Sequence, residues 1–262
     1  MKVLSKLMDY LYRLMGFIIG PLLQYRYQVA LQNLSRAFPE ASYLQIKEIH
    51  RQFYNNLARI VLESIVPALQ ALSLEENSKE LLHSAALKHK NIILLTGHYG
   101  NWEIVSKLPA QLGRPVQALY KPLQNKFWDK RFVQLRSSKG LRLLPSKQAL
   151  RILLKEGNSP HTTLFVADQY PGKGNGLAID FLNQPSHMFQ GAEQLAKRLD
   201  AAVVYMELAP QGKTSWEASF QLICTDARQT QDGFITSQYT RKLEQSIRHN
   251  PAYWLWSHKR WK

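Results

Sequence analysis

Cysteine is almost absent from this chain of 262 residues: Cys224 is the only one. An intrachain disulfide is therefore impossible and a cysteine-built zinc site is excluded, which suits a reducing compartment. Within Leu222-Ile223-Cys224-Thr225 the thiol reads as a small apolar residue of a strand rather than a nucleophile. Acidic residues are also scarce, with 19 Asp and Glu against 34 Lys and Arg for a formal net charge of +15. Such an imbalance implies an anionic partner: nucleic acid, an acidic membrane surface, or an anionic substrate or carrier. No apolar run approaches the roughly 20 residues that span a bilayer, since the longest near the start, Leu14 to Leu23, has ten. It contains Gly and Pro and is followed by no small-residue cleavage site, so it fits a secretory signal poorly. There is no GxSxG elbow, no GxxxxGK[ST] loop, no internal repeat and no low-complexity tract. What remains is a single well-mixed chain, 45% hydrophobic, long enough to bury a substantial core.

The positive charge is concentrated. Between Ala110 and Lys155 eleven basic residues face one acid, Asp129, a net +10 in 46 positions. At the start of the chain Leu4, Leu7, Met8, Leu11, Leu14, Met15 and Ile18 form a helical stripe opposite Lys2, Lys6, Asp9 and Arg13. An apolar face backed by a mainly basic one suits a helix lying in an anionic membrane interface, and equally a helix packed on its own core. Further on, Ser42 with Gln45 forms a capping-box pattern before Ile46, Ile49, Phe53, Leu57, Ile60 and Val61. A second helical stretch is expected near 75–90.

The periodicity then changes. Ile92-Ile93-Leu94-Leu95 reads as a strand buried on both faces, and 116–120, 163–167, 202–208 and 219–225 as further strands. Helices are expected at 126–137, 147–156, 191–199 and 237–249. Alternation of this kind predicts an α/β fold: a helical N-terminal part followed by a mostly parallel sheet flanked by helices.

His98 stands where the first of these strands ends, in Thr96-Gly97-His98-Tyr99-Gly100-Asn101-Trp102-Glu103. Ligands of open α/β sheets bind beyond such strand ends. A His that takes a proton near neutral pH benefits from a carboxylate that holds its tautomer, and the turn allows Glu103 to fold back as that partner. Elsewhere, Pro171-Gly172-Lys173-Gly174-Asn175-Gly176 reads as a surface loop rather than a phosphate loop. His50, His83 and His161 show no metal-ligand spacing.

The wording Gly97-His98-Tyr99-Gly100-Asn101-Trp102-Glu103 resembles the His-x4-Glu block of the bacterial late acyltransferases of lipid A biosynthesis, within the lysophospholipid acyltransferase superfamily. Further blocks follow in order: Tyr120-Lys121-Pro122-Leu123 with Asn125, Leu135-Arg136-Ser137-Ser138-Lys139-Gly140, Val166-Ala167-Asp168-Gln169, and Phe181-Leu182-Asn183-Gln184-Pro185 with Gly191 and Ala196. Tyr253-Trp254-Leu255-Trp256-Ser257-His258-Lys259-Arg260-Trp261-Lys262 resembles the family's terminal aromatic-basic signature, and Val29 to Leu34 with Ala37-Phe38-Pro39 its helical start. Two features depart from the pattern: a shorter apolar N-terminus, and Asn183 where many relatives carry Gly.

The resemblance implies a membrane-associated acyltransferase at the cytoplasmic face of the inner membrane, peripheral or monotopic. Residues 1–25 would form an amphipathic membrane-associating helix and 26–262 the acyltransferase domain. It would move an acyl chain from acyl carrier protein or coenzyme A to a hydroxyl of a lipid acceptor such as a lipid A precursor, without metal or cofactor. His98 would be the general base, oriented by Glu103. Backbone N–H groups near Gly100 and Asn101 would face the oxyanion, and Arg136, with Lys121 and Lys139, would grip a phosphate. Asp168 would position Arg136 or His98, or cap its strand. An anionic membrane surface is the implied further partner. An acyltransferase or thioesterase acting on another lysolipid or aminolipid and a basic nucleic-acid-binding protein are the alternatives; the second lacks any recognisable nucleic-acid motif.

Overall fold

A computed structural model describes residues 2–261 apart from 67–68, 85, 157–159, 173–174 and 214; the side chains of 2–5 and 128 are likewise outside the description. Lys173 and Gly174 of the glycine-rich loop thus lie outside the described residues.

Three helices come first: α1 (Lys2–Phe17), α2 (Tyr27–Ala37) and α3 (Tyr43–Ile65). α3 opens as expected, with Ser42 Oγ accepting from Gln45 N–H and the Gln45 side chain accepting from Ser42 N–H. Its face Ile46, Phe53, Leu57 and Ile60 is buried, while Val61, at the margin of the stripe, stays exposed. α1 buries only part of its apolar face. Met8, Tyr12 and Gly16 are buried, with Gly16 tight against Asn55 of α3, whereas Leu7, Tyr10, Leu14 and Phe17 face solvent. A π-helical turn, Ile18–Leu22, ends the segment at Pro21 and leaves Leu22 and Leu23 exposed. Among the described residues no helix is long and apolar enough to cross a membrane.

The rest is α/β. The strands are β1 (Ala71–Leu74), β2 (Ile92–Thr96), β3 (Val116–Tyr120), β4 (Arg142–Pro145), β5 (Thr162–Val166), β6 (Leu177–Phe181), β7 (Gln184–Met188), β8 (Ala202–Pro210) and β9 (Ser215–Cys224). Between them lie α4 (Glu76–His83), α5 (Leu108–Leu112), α6 (Lys126–Ser137), α7 (Ser146–Lys155), α8 (Gly191–Arg198) and, after β9, α9 (Phe234–His249). Among the described residues the main sheet runs β1-β9-β8-β2-β5-β3-β4, with only the β8–β9 pair antiparallel. The short strands β1 and β4 and the β6–β7 hairpin add to the expected set. That hairpin turns on Leu182 and Asn183, both in the left-handed region (φ 53° and 61°), a conformation that Asn tolerates. The helix expected near 75–90 is shorter, α4 giving way to turns after His83.

β2 lies mid-sheet and is buried throughout, which is why it reads as an unbroken apolar run. Its side chains alternate between two cores. Ile93 and Leu95 pack with Val203, Tyr205 and Leu243 of α9, while Ile92 and Leu94 join Val204, Met206, Leu108 and Leu112 on the opposite face. Each such side chain contributes about 1.5–3 kcal/mol on burial. Cys224, at the end of β9, is half-buried, and burial pushes its thiol pKa up, away from nucleophilic use. The C-terminal Trp residues close the first core, with Trp254 edge-on to Trp256 at 4.7 Å and to Phe181 at 5.7 Å.

Candidate active site

β2 and β5 are adjacent and parallel, in a register that places Thr96 opposite Val166. Their C-terminal ends leave the sheet side by side, and Ala167 N–H donates to Thr96 O at 3.0 Å, extending the ladder by one step. The next residues out are Gly97-His98 on one strand and Asp168-Gln169 on the other. Asp168, 3% exposed, accepts from the His98 backbone N–H at 2.8 Å and lies 2.6 Å from the ring Nδ1. Trp254 Nε1–H donates to the same carboxylate at 2.8 Å. Burial by itself would raise the Asp168 pKa; the His98 charge and these hydrogen bonds outweigh it and hold the carboxyl down at about 2. An ionised Asp168 selects the tautomer with the proton on Nδ1 and leaves Nε2 as acceptor, where Gln169 Nε2–H can donate at 3.3 Å. Trp102 meets the imidazole edge-on at 5.1 Å.

The turn that carries His98 is clamped from two sides. The C-terminal segment runs antiparallel to it: Leu255 N–H donates to His98 O at 3.0 Å, and Gly100 N–H to Tyr253 O at 3.1 Å. Gly100 has φ +66°, and a Cβ there would run into the Leu208 backbone. Its conformation and close packing both require glycine. Gly97 leaves room for Leu243 of α9. From the other side, Asn101 is fully buried, its Oδ1 accepting from Glu103 N–H and its Nδ2 donating to Glu63 at 2.6 Å. Glu63 of α3 is itself fully buried between Arg59 (2.7 Å) and Trp216 Nε1–H (2.7 Å). The N-terminal helices thus reach the turn through one charged network.

These contacts revise several sequence expectations. The carboxylate bonded to the His98 ring is not Glu103: as the chain leaves the turn it enters a 3-10 helix, Trp102–Lys107, that carries the Glu103 carboxylate to Arg136. There two hydrogen bonds form, at 2.9 and 2.7 Å from Nε and Nη2. The carboxylate that meets the ring is Asp168, because the parallel register delivers it there. Of the three roles open to Asp168, the one toward His98 is the one its contacts match. The Gly100 amide, one of the expected oxyanion donors, instead donates to Tyr253 O; the bonds of Asn101 to Glu63 and Glu103 involve its side chain and do not bear on its backbone N–H. Arg136 is not free but paired; the pairing uses two of its five N–H donors, and the side chain stays 32% exposed. Lys121 and Lys139 are exposed on the surrounding basic surface. His258 sits in a segment whose backbone is built into the core, its carbonyl accepting from Asn33.

Glu63 escaped the sequence reading, and Trp254 and Gln169 entered it only as members of motif blocks, without a role. Gln169 was legible as the neighbour of Asp168 in the same block. Glu63, a Glu in a long amphipathic helix, carries no local signal, and the terminal aromatic-basic block marks Trp254 without indicating its partner.

The model of one protein family, described as bacterial lipid A biosynthesis acyltransferase, matches residues 3–262 of the chain. No curated protein matches it.

Proposed function

We propose that this chain, which belongs to the bacterial lipid A biosynthesis acyltransferase family, transfers an acyl group from a thioester, on acyl carrier protein or coenzyme A, to a hydroxyl of a lipid acceptor such as a lipid A precursor. The observation that carries this reading is the His98–Asp168 contact, which leaves Nε2 of His98 as the basic atom at the end of β2. Nε2 takes the hydroxyl proton as the acceptor oxygen attacks the thioester carbonyl. The tetrahedral intermediate collapses with cleavage of the C–S bond, and the imidazolium returns the proton to the departing thiolate. The products are the ester and the free thiol, with no acyl-enzyme between. Asp168 stays ionised throughout, stabilising the imidazolium rather than accepting its proton.

Arg136, held in place by Glu103, keeps donors for a phosphate of the acceptor or the donor, with Lys121 and Lys139 adding to the local positive field. Residues 1–25 contact the membrane through the exposed edge of α1 and the Leu22-Leu23 turn, which supports peripheral or monotopic attachment at the cytoplasmic face of the inner membrane.

The test is lipid mass spectrometry on membranes from cells expressing the wild type or His98→Ala, supplied with acyl carrier protein thioesters. A lipid heavier by one acyl chain is expected with the wild type alone, and its mass names the acceptor. Identical profiles from two folded, membrane-bound proteins would remove His98 as the base.

A further inference from the structure

α6 is turned inside out for a surface helix. Asp129, Val133, Arg136 and Ser137 form its half-buried stripe against the body, and none of its described side chains is buried. At about 100° per residue, Phe127, Arg131, Leu135 and Phe132 spread over roughly 140° of the opposite side. That side faces water: Phe127 is 62% exposed, Leu135 53% and Phe132 43%. An amphipathic helix of a soluble domain places such residues inward.

Exposed basic side chains stand along and beside α6. Lys121, Lys126, Lys130, Arg131 and Lys139 are exposed. Arg131 lies over the Phe127 ring at 5.8 Å and Arg136 over the Phe132 ring at 5.4 Å. The neighbouring acids are turned away: Asp129 accepts from Leu123 N–H at 2.8 Å, and Glu103 is taken by Arg136. An outward arc of phenyl and leucyl groups rimmed by Lys and Arg complements anionic headgroups above an acyl layer. A soluble polyanion would match the charge but leave the apolar arc wet.

We infer that α6 is an interfacial helix, separate from the N-terminal segment, that seats the protein on an anionic lipid surface beside the catalytic turn. Its last turn carries Arg136, bonded to Glu103 five residues from His98. The inference rests on the proposed function only for its purpose, the delivery of a lipid to His98.

The experiment is flotation of the full chain with phosphatidylglycerol/phosphatidylcholine vesicles and with phosphatidylcholine vesicles alone. It compares the wild type with F127S/F132S and with K126Q/K130Q/R131Q. Wild-type binding is expected to require phosphatidylglycerol and to weaken with salt. Each variant should bind about tenfold more weakly or worse, with an unchanged melting temperature. Wild-type affinity in both variants would overturn the inference and leave α1 as the membrane contact. So would retained vesicle binding with lost binding to acyl carrier protein, which would make this face a protein dock. If the multiple variants misfold, a polarity-sensitive dye on F127C in a C224S background gives the answer: a blue shift with phosphatidylglycerol vesicles supports insertion, and an unshifted spectrum refutes it. Flotation is read without acyl transfer, so an inactive site would leave this result standing.

Discussion

Asp168 holds His98 twice, through the ring Nδ1 at 2.6 Å and through the backbone N–H at 2.8 Å, across 70 residues of sequence. The first contact sets the tautomer and the second sets where the Cα carrying the ring sits. A single buried carboxylate thereby fixes both the tautomer and the position of the imidazole that we propose as the base.

Replacing Asp168 by Asn leaves a similar shape but no charge to stabilise the imidazolium. The rate of acyl transfer should fall by about a hundredfold to ten-thousandfold, with KM little changed. Steady-state kinetics on purified D168N measures this; a loss of less than fivefold would show that the carboxylate is not coupled to catalysis.

Asp168 also links stability to acid. Its pKa in the folded chain is about 2 against an ordinary 3.8, so its stabilising contribution is complete above the ordinary value and drains away as pH falls from 3.8 toward 2. Denaturant unfolding across that window should lose stability more gently in D168N, by up to one proton's worth of slope.

Glu103→Gln separates two roles. The Arg136–Glu103 pair is partly exposed, at 32% and 21%, so its loss should change stability by no more than about 1 kcal/mol. With Arg136 released, KM for a phosphate-bearing substrate should rise about tenfold while kcat and its pH profile hold. A shifted pH profile would instead tie Glu103 to His98.

Glu63→Gln leaves the Arg59 guanidinium, which also donates to Gly212 O and Ser215 O, buried without its carboxylate. A cost of about 3–5 kcal/mol is expected, read as a drop in melting temperature on the order of 10 °C. The anchor of Asn101 on α3 weakens with it.

Gly100→Ala meets both a left-handed backbone and the Leu208 carbonyl. Because that contact is to backbone, the turn must shift, and the variant should lose acyl transfer and several kcal/mol of stability. Circular dichroism with an activity assay checks it, and a fully active, equally stable G100A would contradict the tight packing seen here.

Local signals carried much of this protein. The unbroken apolar run 92–95 announced a buried strand, Ser42 and Gln45 announced the start of α3, and glycines around His98 announced a turn at a strand end, because each depends only on near neighbours in the chain. The order of motif blocks marked the family across nearly the full length. The partners of those residues depended on tertiary structure. Whether Glu103 or Asp168 meets His98 is decided by the parallel register of β2 on β5, and whether Gly100 keeps a free amide is decided by where the C-terminal strand segment lies. The same holds for α6, whose composition gave the charge but not the side that faces water. A helix repeats every 3.6 residues whichever way it rolls, and only the body it packs against selects the inward stripe.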